Sequence, residues 1–190
     1  LSDTYTSTST GDTTTVATAG NNVITLSGNG ANTVTLGSGS DNITTGTGAD
    51  IFQTTSANFN LSDTIAGGTG TDILKTSTDG AVVIDADFTN VTGIETLTQT
   101  GALELTATLG ALAAATGIVT VTDIDTGGAF SLTVPAAFTN ALTVNLATAT
   151  AVKTVNATGY TKVLSVAMDA LALVTGADVI TGGSGTADEL

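Results

Sequence analysis

The chain has 190 residues and a formal net charge of −14, and its only basic residues are three lysines. So few cations cannot neutralise nucleic-acid phosphates or hold the chain on an anionic membrane surface, which argues against both partner classes. The absence of Cys and His removes disulfides, thiolate chemistry and the ligands that zinc prefers. No apolar run approaches the roughly 18 residues of a membrane-spanning helix, so membrane insertion is not expected.

The composition predicts a folded protein that is mostly β. Hydrophobic residues make up 41% of the chain, which is enough for a continuous core. Thr and Val are abundant while Glu, Lys and Arg are scarce, and this bias favours strands over helices.

Residues 1–19 are rich in Thr and Ser, and we predict a leading strand there. From Asn22 a strand pattern recurs at steps of ten, nine and nine residues, as NVITLS, NTVTLG, DNITTG and DIFQTT. The turns SGNGAN, LGSGSD and TGTGAD separate these strands, and the best single copy of the repeat is GGTGTDILK at residues 67–75. Self-similarity at a fixed short period indicates a solenoid, so we predict a nonapeptide β-roll over residues 20–76.

One large apolar residue follows each Asn or Asp by two positions, which predicts a single inward-pointing side chain per strand. These residues are Ile24, Val34, Ile43, Phe52, Ile65 and Leu74. The next positions, Thr25, Thr35 and Thr44, are predicted to point outward as one hydroxyl ladder. The aspartates of consecutive nonapeptides are likewise predicted to stack on one another.

After about residue 79 the glycine pattern stops, but short strand-like segments continue at fairly even spacing. They are AVVIDADF, GIETLTQT, ALELTAT, GIVTVTDI, FSLTV, ALTVNL, VKTVNA and KVLSVAM. Such spacing fits a solenoid, a sandwich or a barrel. A solenoid is favoured because the flanking repeat region is one already, so residues 77–175 are predicted to continue it, with one helical turn in TLGALAAATG.

The glycine motif returns as GADVITGGSGTADEL, so residues 176–190 are predicted to open a second repeat block. The sequence ends inside this motif, and we expect the native polypeptide to continue past Leu190. The predicted fold class is therefore all-β, a parallel β-roll or β-helix (a β-solenoid) with glycine-rich turns.

Stacked aspartates need a compensating charge. Parallel rungs lie about 4.8 Å apart, and carboxylates at that distance repel by roughly 1 kcal/mol per pair in water. Ca²⁺ offsets this repulsion because it takes six to eight oxygen ligands in flexible geometry. Glycines with positive φ would turn the backbone so that its carbonyls face the ion.

We therefore predict several Ca²⁺ ions bound at the turns. The predicted ligands are the side chains of Asp41, Asp50, Asp63, Asp72, Asp178, Asp188 and Asn32, with the turn glycines Gly37, Gly39, Gly46, Gly48, Gly68 and Gly70. The alternative is that Gly-x-Gly-x-Asp is turn chemistry alone. Three consecutive copies and the GGTGTD match favour calcium, whereas Asp188 lies one residue out of register.

Two further carboxylate pairs, Asp85 with Asp87 and Asp123 with Asp125, have the spacing that puts side chains on one face of a strand. Each pair can clamp an ion, but solvated carboxylates at strand ends are the favoured interpretation. The three lysines are not expected to adjoin an acidic cluster.

The nonapeptides resemble those of RTX (repeats-in-toxin) proteins, which Gram-negative bacteria secrete. FTNVTGIETLTQTG at residues 88–101, following TDILKTSTDGAVV, is similar to the segment after such repeats in RTX-type surface-layer proteins. The resemblance covers about residues 20–76 and 176–190 by repeat and about 77–101 by a looser motif. Most turns carry only one glycine of the leading pair and SGNGAN has Asn for Asp, so the early rungs are expected to bind calcium weakly or not at all.

The resemblance implies a calcium-binding β-roll that is exported by type I secretion and assembles on the cell surface. The expected function is a structural segment of a calcium-dependent surface layer (S-layer). Its expected partners are further copies of itself in a lattice or filament, and cell-surface polysaccharide. The alternative is a repeat or stalk module of a secreted RTX adhesin, with ice binding by the Thr25, Thr35 and Thr44 ladder as a remote variant. An enzyme is not expected, because a Ser or Thr nucleophile would lack a His base.

Overall fold

The protein is a parallel β-solenoid of about seven turns with almost no helix, which confirms the predicted fold class. The structure, a computed structural model, describes residues 2–8, 10, 13–15, 19–78, 80–100, 104–124, 127–146, 151–168, 178–185 and 187–189. Of the helices within these residues, none has the length and apolarity needed to cross a membrane.

The first half of the solenoid has two strands in each rung, one on either side of the core. The strands are β1 (Thr4–Ser7), β2 (Thr13–Thr15), β3 (Val23–Leu26), β4 (Thr33–Thr35), β5 (Asn42–Thr45), β6 (Ile51–Thr54), β7 (Thr64–Ala66) and β8 (Ile73–Thr76). The six apolar residues predicted to point inward are all buried, at 0–2% exposure. Alternation of apolar and polar side chains along each strand therefore forms this part of the core, as predicted.

The second half continues the solenoid with wider rungs. Its strands are β9 (Ala81–Val83), β10 (Val91–Thr92), β11 (Thr96–Gln99), β12 (Leu105–Thr108), β13 (Thr120–Asp123), β14 (Phe130–Thr133), β15 (Leu142–Leu146), β16 (Lys153–Asn156), β17 (Leu164–Met168) and β18 (Val179–Thr181). A 3₁₀ helix spans Asp85–Phe88, and α1 (Ala111–Thr116) provides the predicted helical turn. All eight predicted strand segments of this half contain a strand.

The strands form three parallel sheets. The N-terminal sheet has the order β1-β3-β5-β7-β10, and the C-terminal sheet has the order β9-β12-β14-β16-β18. The eight-stranded sheet runs along the whole solenoid in the order β17-β15-β13-β11-β8-β6-β4-β2. The change of sheet after β8 marks the point where the rung gains extra segments, with α1 packing against β10 and the 3₁₀ helix.

One nonapeptide makes half a rung, which corrects two predictions. Asn32 and Asp50, which meet across one rung, are 18 residues apart, and the separation is 22 residues for Asp50 and Asp72. Asp41 and Asp50 therefore lie at opposite corners rather than stacked on each other. The predicted single threonine ladder is also wrong, because Thr25 pairs with Thr44 in the N-terminal sheet while Thr35 lies in the eight-stranded sheet.

Candidate metal centre

Asx side chains at the two corners of the early rungs link each rung to the one before it. At the first corner, the N–H of Asn22 donates to Asp41 Oδ1 at 3.1 Å, and the N–H of Asp41 donates to Asp63 Oδ1 at 2.9 Å. These side chains are 0–2% exposed. Each buried carboxylate therefore accepts a backbone N–H that the turn of the solenoid would otherwise leave without a partner.

The second corner repeats this arrangement and extends it by one rung. The N–H groups of Asn32 and Asp50 donate to the Oδ1 atoms of Asp50 and Asp72, at 2.7 and 2.8 Å. The N–H of Asp72 then donates to Glu95 Oε2 at 2.8 Å. The second corner is thus a column of Asn32, Asp50, Asp72 and Glu95.

The two corners differ in their second carboxylate oxygens. At the first corner, Asp41 Oδ2 accepts the N–H of Gly37 at 3.3 Å and Asp63 Oδ2 accepts the N–H of Asn60 at 3.0 Å. At the second corner, the buried Oδ2 atoms of Asp50 and Asp72 have no hydrogen-bond donor in the described part of the chain. A buried charged oxygen without a partner is costly, so the second corner is the place where a cation would be stabilising.

Asparagines at the equivalent positions make bridging hydrogen bonds that the Oδ2 atoms of Asp50 and Asp72 cannot make. The Nδ2 of Asn32 donates to Gly30 O at 2.9 Å and to Asp50 Oδ1 at 2.8 Å, so the amide bridges its own turn and the next rung. Asn22 makes the equivalent pair of bonds at the first corner. An aspartate in this position presents an oxygen instead of an amide nitrogen. A cation beside Asp50 or Asp72 would take over the bridging role of the amide hydrogens.

The turn glycines of the second corner are required by close stacking of the backbone. A Cβ on Gly68 or Gly70 would lie 2.0 or 1.9 Å from a glycine carbonyl oxygen of the turn below. Both residues also have positive φ, +88° and +150°, where a side chain is strained. Gly46 and Gly48 have no positive φ, which corrects the predicted reason for them. They are needed for the same close approach, which brings carbonyl oxygens of successive turns together.

The electrostatics of the second corner follow from burial and from stacked like charges. The pKa of Asp72 is raised to about 6, mainly by burial and to a smaller extent by the neighbouring charges of Asp50 and Glu95. At the first corner burial also raises the pKa of Asp63, with smaller contributions from Asp41 and Asp87. Among the described residues, no three carboxylates meet as a ready ligand set. A cation here would therefore combine two carboxylates with turn carbonyls.

In the C-terminal copy of the motif, the aspartates also accept a backbone N–H of the preceding rung, but their side chains are less buried than at the two corners. Asp178 Oδ1 accepts the N–H of Lys153 at 2.8 Å, and Asp188 Oδ1 accepts the N–H of Leu164 at 3.1 Å. Asp178 is half-buried and Asp188 is exposed. The one-residue offset of Asp188 therefore does not prevent it from capping the preceding rung.

The other carboxylates predicted as solvated strand ends are engaged with the protein. Asp85 caps the N-terminus of α1 across one rung, accepting the N–H of Ala113 at 2.8 Å, and Asp87 accepts the N–H of Ile84 at 2.9 Å. Asp123 forms an ion pair with Lys153 at 2.6 Å, with both side chains 2% exposed. The prediction of solvated carboxylates at Asp85, Asp87 and Asp123 was therefore wrong, and Lys153 pairs with one buried carboxylate rather than with an acidic cluster. Asp125 lies outside the described residues.

Sequence reasoning missed Asn22 and Glu95. Asn22 opens the first strand pattern, and its equivalence to Asp41 becomes visible once the rung is known to be two nonapeptides. Glu95 lies 23 residues after Asp72, one more than the preceding step, and it is not an Asx residue. The change in rung length therefore hides it from a search for the repeat.

Comparisons of the chain with protein-family models, with curated proteins and with solved structures found no match.

Proposed function

We propose that this chain is a structural segment of a calcium-dependent bacterial surface layer, secreted to the outside of a Gram-negative cell, and that Ca²⁺ binds at its second corner. The single observation that supports this proposal most is the pair of buried Oδ2 atoms of Asp50 and Asp72 that lack a hydrogen-bond donor. Together with stacked glycine turns in a parallel solenoid, they fit the calcium site that the RTX resemblance implies.

The residues that would hold the ion are hard oxygen donors, which suit Ca²⁺. These donors are the carboxylate oxygens of Asp50 and Asp72 and the carbonyl oxygens of the stacked turns at residues 46–48 and 68–70. Bound Ca²⁺ would neutralise like charges and tie successive rungs together. Mg²⁺ prefers a stricter octahedron with several waters, and His and Cys ligands for zinc are absent from the sequence.

The proposal places calcium at the second corner rather than at every predicted aspartate. The carboxylate oxygens of Asp41 and Asp63 already accept backbone N–H groups. Extracellular calcium modules typically bind with Kd of about 10⁻⁴–10⁻³ M. At about 1 mM Ca²⁺ each such site contributes about 0.4–1.4 kcal/mol of folding free energy, so the ion tunes the stability of a fold that backbone pairing already specifies.

The test compares the purified chain in millimolar calcium and in EGTA by circular dichroism, thermal unfolding and negative-stain microscopy. We expect calcium to raise the unfolding midpoint and to be required for ordered sheets or filaments. A chain that gains stability with calcium yet stays dispersed would instead match an adhesin stalk. Equal midpoints in calcium and EGTA would contradict the proposed calcium site.

A further inference from the structure

The turn SGNGAN at residues 27–32 holds the one Asn-Gly pair of the sequence, Asn29 followed by Gly30. It is the first of the stacked turns at the second corner, and the pairs Thr47-Gly48 and Thr69-Gly70 occupy the equivalent places in the next two rungs. The side chain of Asn29 is exposed, whereas that of Asn32 in the same turn is buried. Asn29 thus presents its amide to water and precedes a residue without a side chain.

The backbone nitrogen of Gly30 is available as a nucleophile. In the next rung the equivalent N–H of Gly48 donates to Thr69 O at 3.0 Å, which ties that nitrogen into the stack. The N–H of Gly30 has no acceptor among the residues that the structure describes. Because glycine has no Cβ, no side chain of its own shields this nitrogen from water or base.

The amide carbon of Asn29 is activated from the next rung. Thr47 Oγ1 donates to Asn29 Oδ1 at 3.1 Å. A donor held by the fold against a carbonyl oxygen stabilises the negative charge that develops there when a nucleophile attacks the carbon. Since Asn29 and Gly30 are adjacent in the chain, attack closes a five-membered ring, and the reacting atoms are already held close together.

We propose that Asn29 is a self-deamidating site and that the stacked turn assists the reaction. The Gly30 nitrogen gives its proton to hydroxide or buffer and bonds to Asn29 Cγ. The bond from Cγ to Nδ2 then breaks, ammonia leaves, and a succinimide ring remains. Water opens the ring, giving aspartate when the bond from nitrogen to Cγ breaks and isoaspartate when the bond from nitrogen to the backbone carbonyl carbon breaks. The net change consumes one water and releases one ammonia.

The two products have different effects on the stack. Aspartate leaves the backbone unchanged and adds one negative charge at an exposed position, where the carboxylate still accepts the hydroxyl of Thr47. Isoaspartate adds one methylene to the main chain. A Cβ on Gly48 would already lie 2.6 Å from Gly30 O, so the stacked turns have little space for a longer backbone. Isoaspartate should therefore displace Gly30 O, which the Nδ2 of Asn32 contacts at 2.9 Å, and loosen the first rung of the second corner.

The test follows the purified, folded chain during incubation at mildly alkaline pH. Isoelectric focusing detects the added charge, peptide mass spectrometry assigns the residue, and methylation by an isoaspartyl methyltransferase reports isoaspartate. We expect Asn29 to convert first. Asn21 is the internal reference, because it is also exposed but is followed by Asn22 rather than by glycine. Asn29→Gln is the negative control, since its longer side chain would have to close a six-membered ring.

Variants of Thr47 test the assistance by the fold. Thr47→Val keeps the shape of the side chain and removes the hydroxyl, so conversion of Asn29 in the folded chain should slow by about two- to tenfold, the effect of one hydrogen bond. Thr47→Ser keeps the hydroxyl and should convert at the wild-type rate. In urea, where the contact between rungs is lost, Thr47→Val and wild type should convert equally fast. Circular dichroism confirms that each variant is folded before it is incubated.

Two results would overturn the inference. Asn29 that stays intact in the folded chain while it converts in urea would mean that the turn protects the amide. Equal folded rates for wild type and Thr47→Val would remove the assisting role of the hydroxyl. Neither result affects the proposed calcium site, because the reacting groups of Asn29 and Gly30 are not its ligands. The comparison of calcium with EGTA can be repeated on Asn29→Gln, in which deamidation at this position is absent.

Discussion

Replacing Asp72 with asparagine should make the fold less dependent on calcium and more stable without it. The pKa of Asp72 is raised from 3.8 to about 6 in the folded protein. An acid with a raised folded pKa gives stability that is fully present below its unfolded pKa and lost as the pH rises through the folded value. At pH 7 without calcium, the ionised Asp72 therefore costs roughly 3 kcal/mol of folding free energy.

Asp72→Asn removes that cost and keeps the useful contact. The amide oxygen can still accept the N–H of Asp50, as Asp72 Oδ1 does at 2.8 Å. The amide nitrogen can donate to a turn carbonyl, as the Nδ2 of Asn32 does to Gly30 O. We expect the urea unfolding midpoint in EGTA to rise, because the folded state gains up to roughly 3 kcal/mol of folding free energy. The gain from adding calcium should fall by about 0.4–1.4 kcal/mol, the contribution of one site.

The assay is urea unfolding at pH 7 followed by circular dichroism, in EGTA and in millimolar calcium. Midpoints are compared rather than extrapolated free energies, because repeat arrays can lose two-state behaviour. Asp41→Asn is the matched control, since Asp41 Oδ2 already accepts the N–H of Gly37 and an amide nitrogen there would face a donor. It should destabilise the chain equally in both buffers. A lower midpoint for Asp72→Asn in EGTA, or an unchanged calcium gain, would refute the reasoning.

Three further changes test other parts of the fold. Gly70→Ala should lower the folding free energy by more than about 2 kcal/mol, because its Cβ would lie 1.9 Å from a carbonyl oxygen. Gly80→Ala is the control for backbone strain alone, since Gly80 also has positive φ but has open space around it. Lys153→Met should cost about 3–5 kcal/mol by removing the cation that forms an ion pair with the buried carboxylate of Asp123. Adding Asp123→Leu should recover most of that loss in thermal unfolding. Burial raises the pKa of Tyr160 from 10.0 to about 12, so stability present below pH 10 should fall by up to roughly 3 kcal/mol as the pH rises through 12. Tyr160→Phe should abolish this fall, and a wild-type alkaline unfolding curve that matches the variant's would contradict it.

The fold was largely predictable because its main determinants are local. Ile24, Val34 and Ile43 recur at fixed steps beside turn residues, and strand alternation alone then places them in the core. The sequence could not say whether one nonapeptide makes a whole rung or half of one. That choice decides which residues are neighbours, and it moved Thr35 to the opposite side from Thr25 and Thr44.

The candidate site was predictable as a set of residue types but not as an arrangement. Asp50 and Asp72 were predicted together with Asp41 and Asp63, because all four occupy the same repeat position. The difference between the corners arises from backbone donors of the long turn at Asn60 and of Gly37, which no side-chain pattern reveals. Glu95 was missed because it reaches the column from a longer rung.

The order of residues along the second corner gives the structure a direction. Asn32 closes its rung with amide hydrogens, Asp50 and Asp72 have oxygens in place of those hydrogens, and Glu95 ends the column where the rungs widen. Beyond that point interior contacts of another kind connect the rungs, such as the Lys153 ion pair and the hydroxyl of Tyr160 donating to Asn140 O. The proposed calcium site therefore lies in the middle rungs. Calcium would then act between two segments that are held by the chain's own donors, and its removal would loosen the solenoid from within rather than from its ends.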